Sequence, residues 1–145
     1  MEEETAMART VFLKPLTPEA RAAIGGDALR IMAFPFRVGR ESRPEARSDG
    51  APSPFQRPSR PPNNELYLKE PGHVLNVSRE HFLIDAQDGE YVLVDRGSVC
   101  GTLVEGDQIG SQRQGGSTRL SDQDVIVVGT SESRYIFKFV VLDAV

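Results

Sequence analysis

Short apolar runs of period two, cut by polar turns, fill most of the chain. The run TVFL at 10–13 has strand propensity and Pro15 ends it. Residues 28–38, ALRIMAFPFRV, are mostly apolar and extended, with Pro35 dividing them and Gly39-Arg40 closing them. ELYLK (65–69) sets Leu66 and Leu68 on one face. HFLIDA (81–86) sets Phe82, Ile84 and Ala86 against Leu83 and Asp85; Asp88-Gly89 is a hairpin signal, and EYVLVD (90–95) returns with Tyr91 and Leu93 opposing Val92 and Val94. TLV (102–104) stops at a Glu105-Gly106 turn, and a polar, glycine-rich loop from Gly110 to Gly116 precedes STRL and the turn SDQD. DVIVVG (124–129) and RYIFKFVVL (134–142) form the last pair, with Tyr135, Phe137, Phe139 and Val141 sharing a face. One helix is expected, near residues 18–24: Thr17 is a good N-cap, Pro18 and Glu19 suit the first turn, and Gly25-Gly26 stops it. The pattern predicts an all-β fold, an antiparallel β-sandwich of about 10–11 short strands with one short helix.

One stretch breaks the pattern. Residues 41–64 hold six of the ten prolines, four serines and four arginines, with Phe55 the single aromatic. Such a segment buries too little apolar surface to offset its ordering entropy, so it is expected to be a disordered insertion within one domain. The expected organisation is an acidic tail at 1–8, a domain over 9–142 interrupted at 41–64, and a tail at 143–145. The insertion leaves directly after Arg40.

Composition narrows the function. The chain has 145 residues, 39% of them apolar, which fits one globular domain. Its net charge of −4, with no Lys/Arg run longer than two, argues against nucleic-acid or membrane-surface binding. A single cysteine, Cys100, cannot form an internal disulfide, and no apolar run reaches the ~20 residues of a membrane span. A soluble, cytoplasmic protein is expected.

Three motifs carry candidate chemistry. Phe36-Arg37-Val38-Gly39-Arg40 is a strand ending in Gly-Arg. Val77-Ser78-Arg79-Glu80-His81 contains Ser-Arg-x-His. Residues 95–106 read Asp-Arg-Gly-Ser-Val-Cys-Gly-Thr-Leu-Val-Glu-Gly. An arginine fork cannot be neutralised at working pH and suits a phosphate, and a serine hydroxyl adds a neutral donor. Taken in order, these motifs resemble those of the forkhead-associated (FHA) domain family, over about residues 9–142. The resemblance implies an FHA-type sandwich that docks a phosphorylated threonine of a partner protein. Arg40 and Ser78 would hold the phosphate, with Arg79 at its edge. Ser98, Val99 and Cys100 occupy peptide-contact positions. Gly39, His81, Gly101 and Thr102 would support the site, His81 as a brace between loops. The implied partner is a substrate of a Ser/Thr kinase, or the kinase itself.

The chain also departs from the family. Val99 and Cys100 stand where it usually carries a polar residue and then Asn, whose amide grips the peptide backbone. A thiol is a weak donor and a weak acceptor and cannot replace both functions. Glu105 replaces another usual Asn. The phosphate pocket is therefore expected to survive with a weakened peptide clamp. The alternative is a phosphate-independent scaffold that binds a partner through a sheet face or edge. Catalysis is not expected: Ser78 or Cys100 with His81 lacks a third orienting residue, and no Gly-x-Ser-x-Gly elbow exists. His73, His81 and Cys100 have no metal-ligand spacing, and no cofactor is implied.

Overall fold

The computed structural model describes residues 9–41, 63–70 and 76–143. The acidic segment 1–8, most of the segment 41–64, and His73 lie outside the described residues. Within them run β1 (Arg9–Pro15), α1 (Pro18–Ile24), β2 (Leu29–Ile31), β3 (Phe36–Arg40), β4 (Leu66–Leu68), β5 (Phe82–Gln87), β6 (Glu90–Asp95), β7 (Thr102–Val104), β8 (Asp107–Ile109), β9 (Gly116–Leu120), β10 (Val125–Val128) and β11 (Ile136–Asp143).

Two sheets face each other. One has the order β2-β1-β11-β10-β7-β8 and the other β4-β3-β5-β6-β9. The period-two pattern explains what lies between them. Leu13, Ile126, Val128, Phe137 and Phe139 from the first sheet meet Val38, Leu68, Phe82, Ile84 and Leu93 from the second, and all are fully buried. Tyr135, expected on the inner face of the last strand, is buried just ahead of β11. The helix forms as its signals imply. The Thr17 side chain accepts from the Ala20 N–H, Pro18 fills the first position, and Gly25 closes it in the left-handed region at φ 75°.

Three details differ from expectation. The sandwich is not wholly antiparallel, since β3 and β4 run parallel, Val38 opposite Leu66 and Arg40 opposite Leu68. A parallel neighbour needs a long connection, and residues 41–65 supply it. Strand β8 was not expected, because Asp-Gln-Ile has no apolar alternation. It forms because Glu105 and Gly106, both at positive φ, fold it back so that Asp107 opposes Val104 and Ile109 opposes Thr102. Strand β11 extends to Asp143, one residue into the expected tail, because Arg9 pairs with it.

The registers fix which loops share an end. Arg9 opposes Asp143 while Pro15 opposes Phe137, and Val128 opposes Thr102. The end opposite Arg9 and Asp143 therefore gathers the end of β3, the segment 76–81, and the loops 96–101, 110–115 and 129–135. Among the described residues no helix is long and apolar enough to cross a membrane.

Candidate functional site

The site begins with a close approach of two backbones. The Arg40 N–H donates to the Ser78 carbonyl at 2.9 Å, and the His81 N–H donates to Val38 at 3.0 Å. These bonds lay the segment 76–81 along the end of β3. Gly39 lies at the crossing: a methyl there would stand 1.9 Å from the Arg79 carbonyl oxygen. Only glycine permits that approach, so Gly39 is what lets Arg40 and Ser78 sit side by side.

Ser78 is fixed by almost every polar atom it has. Its N–H donates to His81 Nδ1 at 2.9 Å, its carbonyl accepts from Arg40, and its Oγ accepts from the Val99 N–H at 3.1 Å. What remains is the hydroxyl proton, free to donate outward.

His81 is fully buried and spans two loops. Nδ1 accepts from Ser78, so Nε2 carries the proton and donates to the Gly101 carbonyl at 2.7 Å. Only the neutral ring of this tautomer makes both bonds. Burial holds its pKa below the ordinary imidazole value, against the opposing pull of the bond to Gly101.

Under the loop 96–101 lies Asp95, 3% exposed at the end of β6. Its Oδ1 accepts from the Gly97 and Ser98 N–H groups at 3.0 and 2.8 Å. Its Oδ2 accepts from the Ser98 and Thr102 hydroxyls at 2.6 and 3.0 Å. The Ser98 oxygen in turn accepts from the Gly101 N–H at 3.0 Å. Gly101 has φ 82°, and a methyl there would lie 2.7 Å from the Gly110 carbonyl oxygen, so this corner also requires glycine.

Against known proteins, the sequence profile of the FHA domain matches residues 36–129. The chain belongs to the FHA-domain family. No curated protein sequence matches it. Solved FHA structures share its fold. The kinase-interacting FHA domain of the kinase-associated protein phosphatase KAPP of Arabidopsis is 21% identical with a TM-score of 0.60, covering 94% of this chain and 97% of that one. EmbR of Mycobacterium tuberculosis, solved in complex with a low-affinity phosphopeptide, is 21% identical with a TM-score of 0.56, covering 94% of this chain and 25% of that longer one. An FHA domain studied for phosphothreonine-dependent interactions is 18% identical with a TM-score of 0.54, covering 90% and 95%.

The FHA motif residues divide into two groups by burial. Arg40 and Ser78 are partly exposed, and Arg79 is exposed. Val99 is 51% exposed, but its N–H is taken by Ser78 and its carbonyl already accepts from the Gln112 N–H at 2.8 Å, so it has no backbone donor left for a ligand. Cys100 is partly exposed and forms no disulfide. Ser98 corrects the expectation. It is fully buried and its hydroxyl is engaged with Asp95 and Gly101, so it braces the loop and cannot touch a peptide. Thr102 is buried on Asp95 as well.

Two structural residues were missed. Asn64, assigned to the insertion, is 3% exposed; its amide donates to the Arg79 carbonyl at 2.8 Å and accepts from Arg96 Nη1 at 2.7 Å. Arg96 also reaches Glu80 at 3.1 Å. Asn64 thus ties the segment 76–81 to the loop 96–101. Its sequence signal is faint, because its partners are distant in the chain. Asp95 lay inside a quoted motif without a role. An Asp before Gly-Ser at a strand end is a turn signal that could have found it. Nearby, Arg37 and Glu65 form a bidentate pair, closest at 2.6 Å, and the bond from Arg37 holds the Glu65 carboxyl below its usual pKa. Among the described residues no cluster of His, Cys, Asp and Glu is arranged to hold a metal.

Proposed function

We propose that the chain is a phosphothreonine-dependent docking module that binds a Thr-phosphorylated partner protein at Arg40 and Ser78 and performs no chemistry on it. The partner would be a kinase substrate or a kinase. One observation carries this reading. Ser78 has every polar atom committed except its hydroxyl proton, and it lies against Arg40, which pairs with no carboxylate among the described residues. A threonine phosphate brings about −1.5 to −2 charge and three acceptor oxygens. An arginine fork, a fixed hydroxyl donor and Arg79 on the rim complement that charge. The FHA structures solved with a phosphopeptide and studied for phosphothreonine-dependent interactions support the same reading.

A second reading, a phosphate-independent scaffold, draws on Val99 and Cys100. Val99 has no free backbone donor for a peptide, and a thiol stands in place of the usual amide clamp. Calorimetry with paired phosphorylated and unphosphorylated threonine peptides separates the two. Phosphothreonine docking predicts binding of the phosphorylated form only, abolished by Arg40→Ala. Equal affinity for both forms, or no effect of Arg40→Ala, would favour the scaffold.

A further inference from the structure

The two sheets bury their inner faces alike, but their outer faces differ. On the five-stranded sheet the outward arginines are paired, Arg37 with Glu65 and Arg119 with Glu90. On the six-stranded sheet, β10 and β11 read VIVV and IFKFVVLD, nearly continuous apolar runs of the kind that suits a strand covered on both faces. The sandwich covers only one of those faces. The registers lay out the other in rows across the strands. Leu16, Ile136, Val127 and Leu103 form one row, through the bond from the Leu16 N–H to the Ile136 carbonyl and the pairs of Val127 with Ile136 and Leu103. Lys14, Lys138, Val125 and Glu105 form the next. Arg30, Phe12 and Val140 form a third, and Thr10 and Leu142 a fourth. Leu16 is 47% exposed and Leu142 53%.

The charges on this face are separated by sign. Arg30, Lys14 and Lys138 lie on β2, β1 and β11, and Glu105 lies just past the end of β7. None of the four has an ion-pair partner among the described residues, although the Glu105 carboxylate accepts the Val125 N–H at 2.7 Å. One border is therefore basic, the opposite border acidic and the middle apolar. Such a face is complementary to itself. Turned about a two-fold axis parallel to the strands, between β11 and β10, a second copy lays its β7 over β1 and its β10 over β11. Lys14 then meets Glu105 of the second copy, and the symmetry repeats the contact. Leu16 meets Leu103, and Ile136 meets Val127. The area suits a dimer. Six strands about 4.8 Å apart, with the eight residues of β11 at ~3.3 Å each, span roughly 600 Å² in plan, before side-chain relief is added. A standard interface buries about 800 Å² per partner.

We propose that the outer face of the six-stranded sheet is a self-association surface, through which two copies of this chain pack face to face as a two-fold dimer. The face runs along the strands, whereas Arg40 and Ser78 stand among the loops at their end, so both copies keep that end open. On the phosphothreonine reading, a dimer offers two docking ends to a partner phosphorylated twice, and the second engagement becomes intramolecular. The self-association itself does not depend on that reading.

The test is sedimentation equilibrium of the full chain over a wide concentration range. The wild type should rise with concentration to twice the chain mass. Lys14→Glu and Glu105→Lys should each weaken the dimer roughly tenfold or more, since each sets two like-charge contacts into the interface. Mixed in equal amounts, the two variants should restore it, because every like-charge contact then becomes one of opposite charge. A merely structural role gives no such rescue. Val127→Lys, in the apolar middle, should abolish the dimer alone and in any mixture. If loss of the bond to Val125 keeps Glu105→Lys from folding, Lys14→Glu and Val127→Lys decide the matter, since Lys14 is exposed and makes no ion pair among the described residues. A wild type that stays monomeric at several hundred micromolar overturns the proposal. So does a dimer that Lys14→Glu and Val127→Lys leave unchanged, or folded Lys14→Glu and Glu105→Lys variants that do not recombine. Phosphothreonine binding by a strictly monomeric chain would overturn it while leaving the docking reading intact.

Discussion

The loop end of this FHA domain has two layers, and they treat polar groups in opposite ways. In the lower layer Asp95, Ser98, Thr102, His81 and Asn64 are all buried, and no buried side-chain nitrogen or oxygen among the described residues lacks a partner. In the upper layer the Ser78 hydroxyl proton and the guanidinium groups of Arg40, Arg79 and Arg113 have no acceptor among those residues. The difference teaches how a small sandwich holds a site without a deep cavity. Buried polar atoms must be satisfied or they cost stability, so the lower layer is locked. Locked loops then hold these donors in place above, at the surface, where water can satisfy them. Burial separates the two roles, so variants confined to the upper layer should leave stability unchanged.

The largest effect is expected in the lower layer. Asp95→Ala removes the acceptor of two backbone N–H groups and two hydroxyls, and leaves buried donors unsatisfied. Hydrogen bonds to a buried carboxylate are among the stronger ones, so the expected loss is about 3–5 kcal/mol, read from urea unfolding. A loss below about 1 kcal/mol would mean that the loop holds itself without Asp95, and the division into layers would fail.

A smaller effect on the same layer comes through pH. The folded domain holds His81 neutral, because Nδ1 must accept from Ser78, and burial sets its pKa below the ordinary 6.5. The unfolded chain therefore takes up the proton first as pH falls. Above the unfolded value His81 costs nothing. Below it stability declines, until pH reaches the lowered folded value and the ring protonates in both states. The slope from this group is at most ~1.4 kcal/mol per pH unit. Wild type should lose stability between pH 7 and 5 more steeply than His81→Gln, measured by urea midpoints across that range. Parallel profiles would show that the ring is not held neutral.

The same division explains what the sequence revealed. Strands and core were legible because period-two alternation reports burial directly: Phe82 and Ile84, or Phe137 and Phe139, could only face inward together. The motif residues were legible as a set, but their layer was not. Ser98 and Ser78 look alike in sequence, each beside candidate ligand positions, yet one is wholly buried and the other keeps a free proton. Exposure of that kind depends on contacts 20 or more residues apart, such as Val99 with Ser78, which no local pattern encodes. Asn64 was hidden for the same reason, since composition placed it with a proline-rich segment while its bonds run to Arg79 and Arg96. Strand β8 was hidden because backbone pairing with β7, and not apolar side chains, makes it a strand.

The smallest effect belongs to the upper layer. Cys100 is partly exposed and stands where FHA domains usually carry the Asn that grips the peptide backbone. An amide there would restore one or two neutral hydrogen bonds, each worth ~0.5–1.5 kcal/mol, or roughly three- to tenfold in affinity. Cys100→Asn should therefore tighten phosphothreonine-peptide binding in calorimetry and leave the urea midpoint unchanged, because the locked layer beneath is untouched. Tighter binding with unchanged stability would mean that the site is an FHA pocket lacking its clamp. Unchanged or weaker binding would mean that the Val99–Cys100 segment, already bound through Val99 to Ser78 and Gln112, meets its partner by contacts other than a backbone clamp.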